Sequence, residues 1–81
     1  MYIEIITPDQ KVYEGDVEAA TFPGSKGSFQ VLKSHAAMVS SLDRGPVILK
    51  TLKGEETIEI DGGVLEVLDD KVVVLAEGII Q

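Results

Sequence analysis

His35 is the only histidine in the chain, and Ser34, Ser40 and Ser41 stand near it in sequence. A serine activated by an imidazole base is a minimal nucleophilic kit. Adjacency along the chain, however, is not the geometry of a triad, in which base, nucleophile and orienting acid converge from different elements. His35 is therefore read as a loop histidine that hydrogen-bonds to backbone. A second candidate is the crowd of acids Glu55, Glu56, Glu59, Asp61, Glu66, Asp69 and Asp70. Paired carboxylates can act as acid and base or wrap a calcium ion. Asp61-Gly62-Gly63 lacks the alternating acidic ladder of a calcium loop. The acids read instead as solvated strand edges, where charge blocks edge-to-edge aggregation. A third candidate, Gly24-Ser25-Lys26-Gly27, resembles a phosphate loop only superficially. The glycine spacing G-x-x-x-x-G-K-[ST] is absent and no helix follows, so the segment reads as a turn. Gly62-Gly63, ahead of a strand, marks a bulge or a close approach of another backbone. None of these groups amounts to an active site, and no cofactor or metal is expected.

The elements that would have to position such residues are small. The chain has 81 residues, 44% hydrophobic, 26% charged and 5% aromatic, with no Cys and no Trp. That composition is globular, and the length allows one domain with one core. Seven basic against fourteen acidic residues leave a net charge of −7. Such a surface repels phosphate backbones and anionic lipid, which argues against nucleic-acid or direct membrane binding. Without Cys there is no disulfide framework and no thiolate metal site. No apolar run approaches the ~18 residues of a membrane span, and no secretory leader pattern occurs, so the default expectation is the cytosol.

Glycine or proline punctuates the chain at Pro8, Gly15, Pro23, Gly24, Gly27, Gly45, Pro46, Gly54, Gly62, Gly63 and Gly78. Between them lie short runs rich in Val, Ile, Thr, Tyr and Phe, which read as about nine strands. The expected strands are Tyr2–Thr7, Lys11–Tyr13, Val17–Phe22, Ser28–Leu32, Met38–Leu42, Val47–Leu52, Glu56–Ile60, Val64–Leu68 and Lys71–Ala76. Pro23-Gly24 is expected to end the third. Lys53-Gly54-Glu55 reads as a three-residue hairpin loop and Asp69-Asp70 as a two-residue one. Two stretches also fit helix. Val64–Glu77 has helical spacing, but its β-branched density and central Asp69-Asp70 argue for strands. Ser34–Leu42 contains good helix formers behind a possible Ser34 cap, leaving room for one helical turn. Short strands at regular spacing in a domain this small imply an all-β flattened sandwich or barrel.

Lys71–Ala76 is apolar without alternation at Val72, Val73, Val74 and Leu75. A strand apolar on both faces is covered on both faces, and the second cover here can be another subunit. From Ala19 to Leu42 there is no Asp or Glu, although the chain has fourteen. Loss of acids suits either the centre of an interface or plain core strands. The end, Gly78-Ile79-Ile80, carries two large aliphatics with no evident cover. Together these features suggest a subunit of an assembly rather than a free enzyme.

Several segments carry a family resemblance. Gly27-Ser28-Phe29-Gln30-Val31-Leu32-Lys33-Ser34-His35-Ala36-Ala37-Met38 resembles the G-x-L-G-I-x-P-G-H-A-P-L stretch of the epsilon subunit of F-type ATP synthases. Gly62-Gly63-Val64-Leu65-Glu66-Val67 with Lys71-Val72-Val73-Val74-Leu75-Ala76 resembles its G-G-x-L-E-V…x-V-x-V-L-A. Ile5-Ile6-Thr7-Pro8 with Tyr13-Glu14-Gly15-Asp16-Val17 is similar to its V-x-T-P…x-x-G-x-V, and Leu42-Asp43-Arg44-Gly45 stands where L-K-P-G is usual. The order of these segments is kept over almost the whole chain.

The resemblance implies an epsilon-type N-terminal β-sandwich of nine to ten strands over residues 1–81. It implies a non-catalytic rotor subunit of the central stalk that binds the gamma subunit and the polar loops of the c-ring. Such a subunit couples ion-driven rotation to ATP synthesis. By carry-over, Thr7, His35 and Ser40 are expected to contact gamma and Gly27 and Ser28 the c-ring, with His35 at the same end as Gly27 and Ser28. The implied location is peripheral, in the F1 sector on the cytoplasmic side of the bacterial inner membrane, touching membrane only through the complex. The family's Gly and Pro around the histidine are Lys33-Ser34-His35-Ala36-Ala37 here. The family's usual two-helix C-terminal hairpin has no counterpart before Gln81, so a form without helix-mediated inhibition is expected. The competing reading is a lipoyl- or biotinyl-type carrier domain with a modified Lys33 or Lys71, though neither lysine has that family's neighbours.

Overall fold

A computed structural model describes residues 1–80; Gln81, the last residue of the expected domain, lies outside the described residues. Nine strands follow one another: β1 Tyr2–Ile6, β2 Lys11–Asp16, β3 Ala19–Gly24, β4 Gly27–Leu32, β5 Met38–Leu42, β6 Gly45–Thr51, β7 Gly54–Ile60, β8 Gly63–Leu68 and β9 Lys71–Ala76. No helix occurs among the described residues. One run of the sheet has the order β2-β1-β9-β8-β5, and a second contains β3-β6-β7 with β4 on the free side of β3. Between β5 and β3 the sheet is joined only at Gly24 and Leu42, and there it folds over. The result is the flattened sandwich that the strand pattern implied, 27 × 27 × 21 Å.

Alternation builds the core. β9 pairs with β1 in parallel and with β8 antiparallel, which aligns Ile3, Val72 and Val67 in one inward row and Ile5, Val74 and Leu65 in the next. Facing them are Phe22 of β3, Val31 of β4, Val47 and Leu49 of β6 and Ile60 of β7, all fully buried. Phe22 and Phe29 pack with ring centroids 5.9 Å apart. Among the described residues no polar or charged residue is buried.

Turn chemistry follows local sequence. Asp69 and Asp70 have φ of +51° and +62°, the paired left-handed conformation of a type I′ hairpin. Gly62-Gly63 is the close approach expected: a Cβ on Gly63 would collide with the Leu75 carbonyl and lie 3.0 Å from the Ala76 Cα. Gly24 pairs with Gly27, which makes Ser25-Lys26 a turn.

Four expectations are corrected. The β6–β7 loop is two residues, Leu52-Lys53, because Thr51 pairs with Gly54 and strand pairing runs further than the glycine suggested. Pro23-Gly24 does not end β3. The Pro23 carbonyl accepts the Asp43 amide, so its missing N–H faces the same edge, past the last pairing with β6 at Thr21. Ser34–Leu42 forms no helical turn; Ser34 takes a left-handed φ of +66° and Met38 starts a strand. The aliphatic tail is not loose. Ile79 bridges Ile60 and packs against the core, and the Ile80 amide donates to the Glu59 carbonyl at 2.9 Å.

Candidate functional site

The outward side chains of β1, β9, β8 and β5 share one surface. Register places Ile6, Leu75, Val64 and Ser41 in one row and Glu4, Val73, Glu66 and Val39 in the next. Leu75 is 53% exposed and Val39 70% exposed, and Val64 and Leu68 are also open to solvent. The cause is the unbroken apolar run of β9: every second residue must point away from a core that the others already fill. Water thus meets an apolar strip that crosses three strands.

One flank of this strip is a network of charges. Lys11 Nζ lies 2.8 Å from Glu4 and 3.3 Å from Glu14, and Lys71 Nζ lies 3.2 Å from Glu4. The Tyr2 hydroxyl donates to Glu14. Hydrogen bonds from Lys11 and Lys71 hold Glu4 below the usual carboxylate range, and those from Tyr2 and Lys11 do the same for Glu14. Lys11 is raised by its bonds to Glu4 and Glu14. Tyr2 is pushed up to about 12, chiefly by its hydrogen bond to Glu14. Lys71, one of the two lysines considered for a carrier, is thereby engaged with Glu4.

The predicted site residues fall into three places. Gly27, Ser28 and Ser40 line one groove of 510 Å³ between the β3–β4 hairpin and β5, together with Phe29 and Val39. A hydroxyl chain closes one end of it: Ser41 Oγ donates to Ser25 Oγ at 3.1 Å, and Ser25 Oγ to Asp43 at 2.9 Å. Ser40 belongs to the half-buried, inward set of β5, opposite the buried Leu65. His35 is elsewhere, beyond the far end of β4 from Gly27 and Ser28, so the three do not share an end as the carry-over had it. Six strand residues at ~3.3 Å each separate the two ends. Its ring Nδ1–H donates to the Ala36 carbonyl at 2.7 Å, the loop role read from sequence. Thr7 closes the β1–β2 turn, with its amide donating to the Gln10 carbonyl at 2.9 Å.

The residue that sequence reasoning missed is Val39. A strand Met38–Leu42 does not say which alternate set faces out; the pairing of Leu42 with Gly63 at the fold-over decides it. Leu75 was signalled by the two-faced apolar run. The acid-free stretch divides between core and surface: Ala20, Phe22, Val31 and Leu42 are core, while Ser25–Ser28 and Lys33–Ala37 are exposed. Among the described residues no three of His, Cys, Asp and Glu are grouped to hold a metal ion. The arrangement can bind a surface; it brings together no nucleophile, base and acid.

Comparison with known proteins bears on what that surface serves. The chain matches the family described as ATP synthase, Delta/Epsilon chain, beta-sandwich domain, over residues 1–81. It is 50% identical over 76 residues to the ATP synthase epsilon chain of Campylobacter jejuni, covering 93% of this chain and 59% of that one. It is 38% identical to the epsilon chain of Salinibacter ruber, covering 93% and 56%. The chain thus spans less than two thirds of these relatives' length. Its fold matches a chain of the Euglena gracilis mitochondrial ATP synthase, OSCP/F1/c-ring, with TM-score 0.88 at 22% identity, covering 96% of this chain and 51% of that one. A chain of the Tetrahymena thermophila mitochondrial ATP synthase central stalk and c-ring matches with TM-score 0.84 at 15% identity, covering 99% and 65%.

Proposed function

Because this chain belongs to the ATP synthase delta/epsilon β-sandwich family, we propose that it is a non-catalytic central-stalk subunit of an F-type ATP synthase. It is held by the gamma subunit and rests on the polar loops of the c-ring, and it helps pass ring rotation to the catalytic head. Its place is then the F1 sector on the cytoplasmic side of the bacterial inner membrane. Its contact with the membrane is indirect.

The observation that carries this reading is the exposed apolar strip of Leu75, Val64 and Val39. Exposed aliphatic side chains gathered on one sheet face beside a charged flank are the pattern of a docking face. We assign it to gamma, with His35 in the loop before β5 near its border. Of the other residues carried over as gamma contacts, Thr7 follows the end of β1 and Ser40 belongs to the inward set of β5, so neither lies on the strip. The turn carrying Gly27 and Ser28 faces the ring. Family membership favours this reading over a carrier domain modified at Lys33 or Lys71.

Covering a large aliphatic side chain stabilises by roughly 1.5–3 kcal/mol. A Leu75→Asp, Val39→Asp double variant is therefore expected to weaken gamma binding by at least about tenfold while retaining its strand signal. Calorimetric titration of gamma with parent and variant tests this; equal affinities would remove the strip from the interface. Cross-linking from Ser28→Cys to the c-ring in the assembled complex tests the other end, where absence of any ring product counts against the orientation.

A further inference from the structure

Asp70 sits at the second turn position between β8 and β9, where a type I′ hairpin favours glycine. The aspartate holds a left-handed φ of +62° there. Its carboxylate reaches a segment distant in sequence: the Ser34 amide donates to Oδ1 at 3.1 Å. The other oxygen lies 3.8 Å from the Met1 ammonium. Ser34 is itself left-handed, with φ +66°, a conformation that a serine avoids when unsupported. Among the described residues no other hydrogen bond ties the loop 33–37 to the rest of the protein. Two residues in disfavoured conformations therefore meet through one carboxylate. The loop they fix carries His35 and leads directly into β5, whose Val39 stands in the apolar strip.

We propose that Asp70 is a positioning residue for partner docking: its carboxylate locks Ser34 in the left-handed turn and so sets the path of His35 and the entry to β5. This rests on the reading of the strip as the gamma-docking face. Without the lock the loop samples other conformations, and apparent affinity falls with the competent fraction.

Asp70→Gly is the informative variant, because Asp-Gly is a preferred type I′ pair and the hairpin keeps its turn. In the full chain the Ser34 amide should exchange with solvent about fivefold faster, the scale of one lost solvent-exposed hydrogen bond. Affinity for purified gamma should fall about fivefold. Adding Ser34→Gly to Asp70→Gly should recover most of that affinity, since glycine takes the left-handed conformation without help. Asp70→Asn, which keeps an acceptor oxygen, should behave like the parent. Unchanged amide exchange in Asp70→Gly would overturn the lock, as would loss of affinity that Ser34→Gly does not recover, or an Asn variant as weak as the Gly one. If the parent chain fails to bind gamma, the functional reading fails instead, and the exchange measurement alone decides the lock.

Discussion

Replacing Gly63 by alanine should destabilise this protein more than the same change at Gly27, and the difference measures one backbone contact. Both glycines have positive φ, +153° at Gly63 and +123° at Gly27. An L-residue in sparsely populated backbone regions costs about 1–3 kcal/mol. At Gly27 that is the whole cost, because nothing lies within 4 Å of the added Cβ. At Gly63 the Cβ would strike the Leu75 carbonyl and come within 3.0 Å of Ala76 Cα. Neither atom can swing aside, so β8 must move away from β9, and overpacking of that kind costs roughly a further 1–3 kcal/mol. The expected total for Gly63→Ala is about 2–6 kcal/mol. At about 4–8 °C per kcal/mol for a domain this size, the melting midpoint should fall by at least about 8 °C. Urea unfolding followed by circular dichroism gives both free energies directly, with m unchanged if only the folded state is affected. A Gly63→Ala protein no less stable than Gly27→Ala would refute the close-approach account of the Gly62-Gly63 step.

Three further outcomes follow from the same structure. Leu65→Ala empties a fully buried position between Val74 and Ser40 and should cost about 2–5 kcal/mol, read by the same denaturation; a cost below about 1 kcal/mol would mean the sandwich collapses freely around it. Glu4 and Glu14 are held below the ordinary value of 4.5, so their stabilising effect is present above about pH 4.5 and lost as pH falls through their folded values. The melting midpoint should decline on that acid side, and less steeply in Lys11→Met; a steeper decline in the variant would contradict the network. Leu52 is 90% exposed at the β6–β7 turn, so Leu52→Ser should change stability by no more than about 0.5 kcal/mol, as a larger loss in thermal melts would reveal packing there.

The strands were legible because alternation and glycine spacing are local signals. Leu65 and Val67 had to face away from Val64, Glu66 and Leu68, and they do. Asp69-Asp70 could be read as a two-residue turn for the same reason. What local pattern cannot hold is the relation between strands. Pro23 stays in β3 because β6 has already left that edge, a fact about a strand more than twenty residues away. Val39 points outward because Leu42 must meet Gly63. The tail Gly78-Ile79-Ile80 finds its cover on Ile60 and Glu59, across a sheet edge that no sequence window spans. The candidate site suffers most, since its exposed apolar strip is assembled from alternate residues of β5, β8 and β9, which the fold and not the chain order brings together.

The parallel pairing of β1 with β9 has a consequence for biosynthesis. β1 cannot take its place until residues 71–76 have followed it out of the ribosome, because β9 is wedged between β1 and β8. Until then Ile3 and Ile5 have no Val72 and Val74 to meet, and the β1–β2 hairpin stays an open, half-apolar ribbon. Assembly is therefore expected to be late and abrupt, completed by the insertion of a single keystone rather than grown strand by strand.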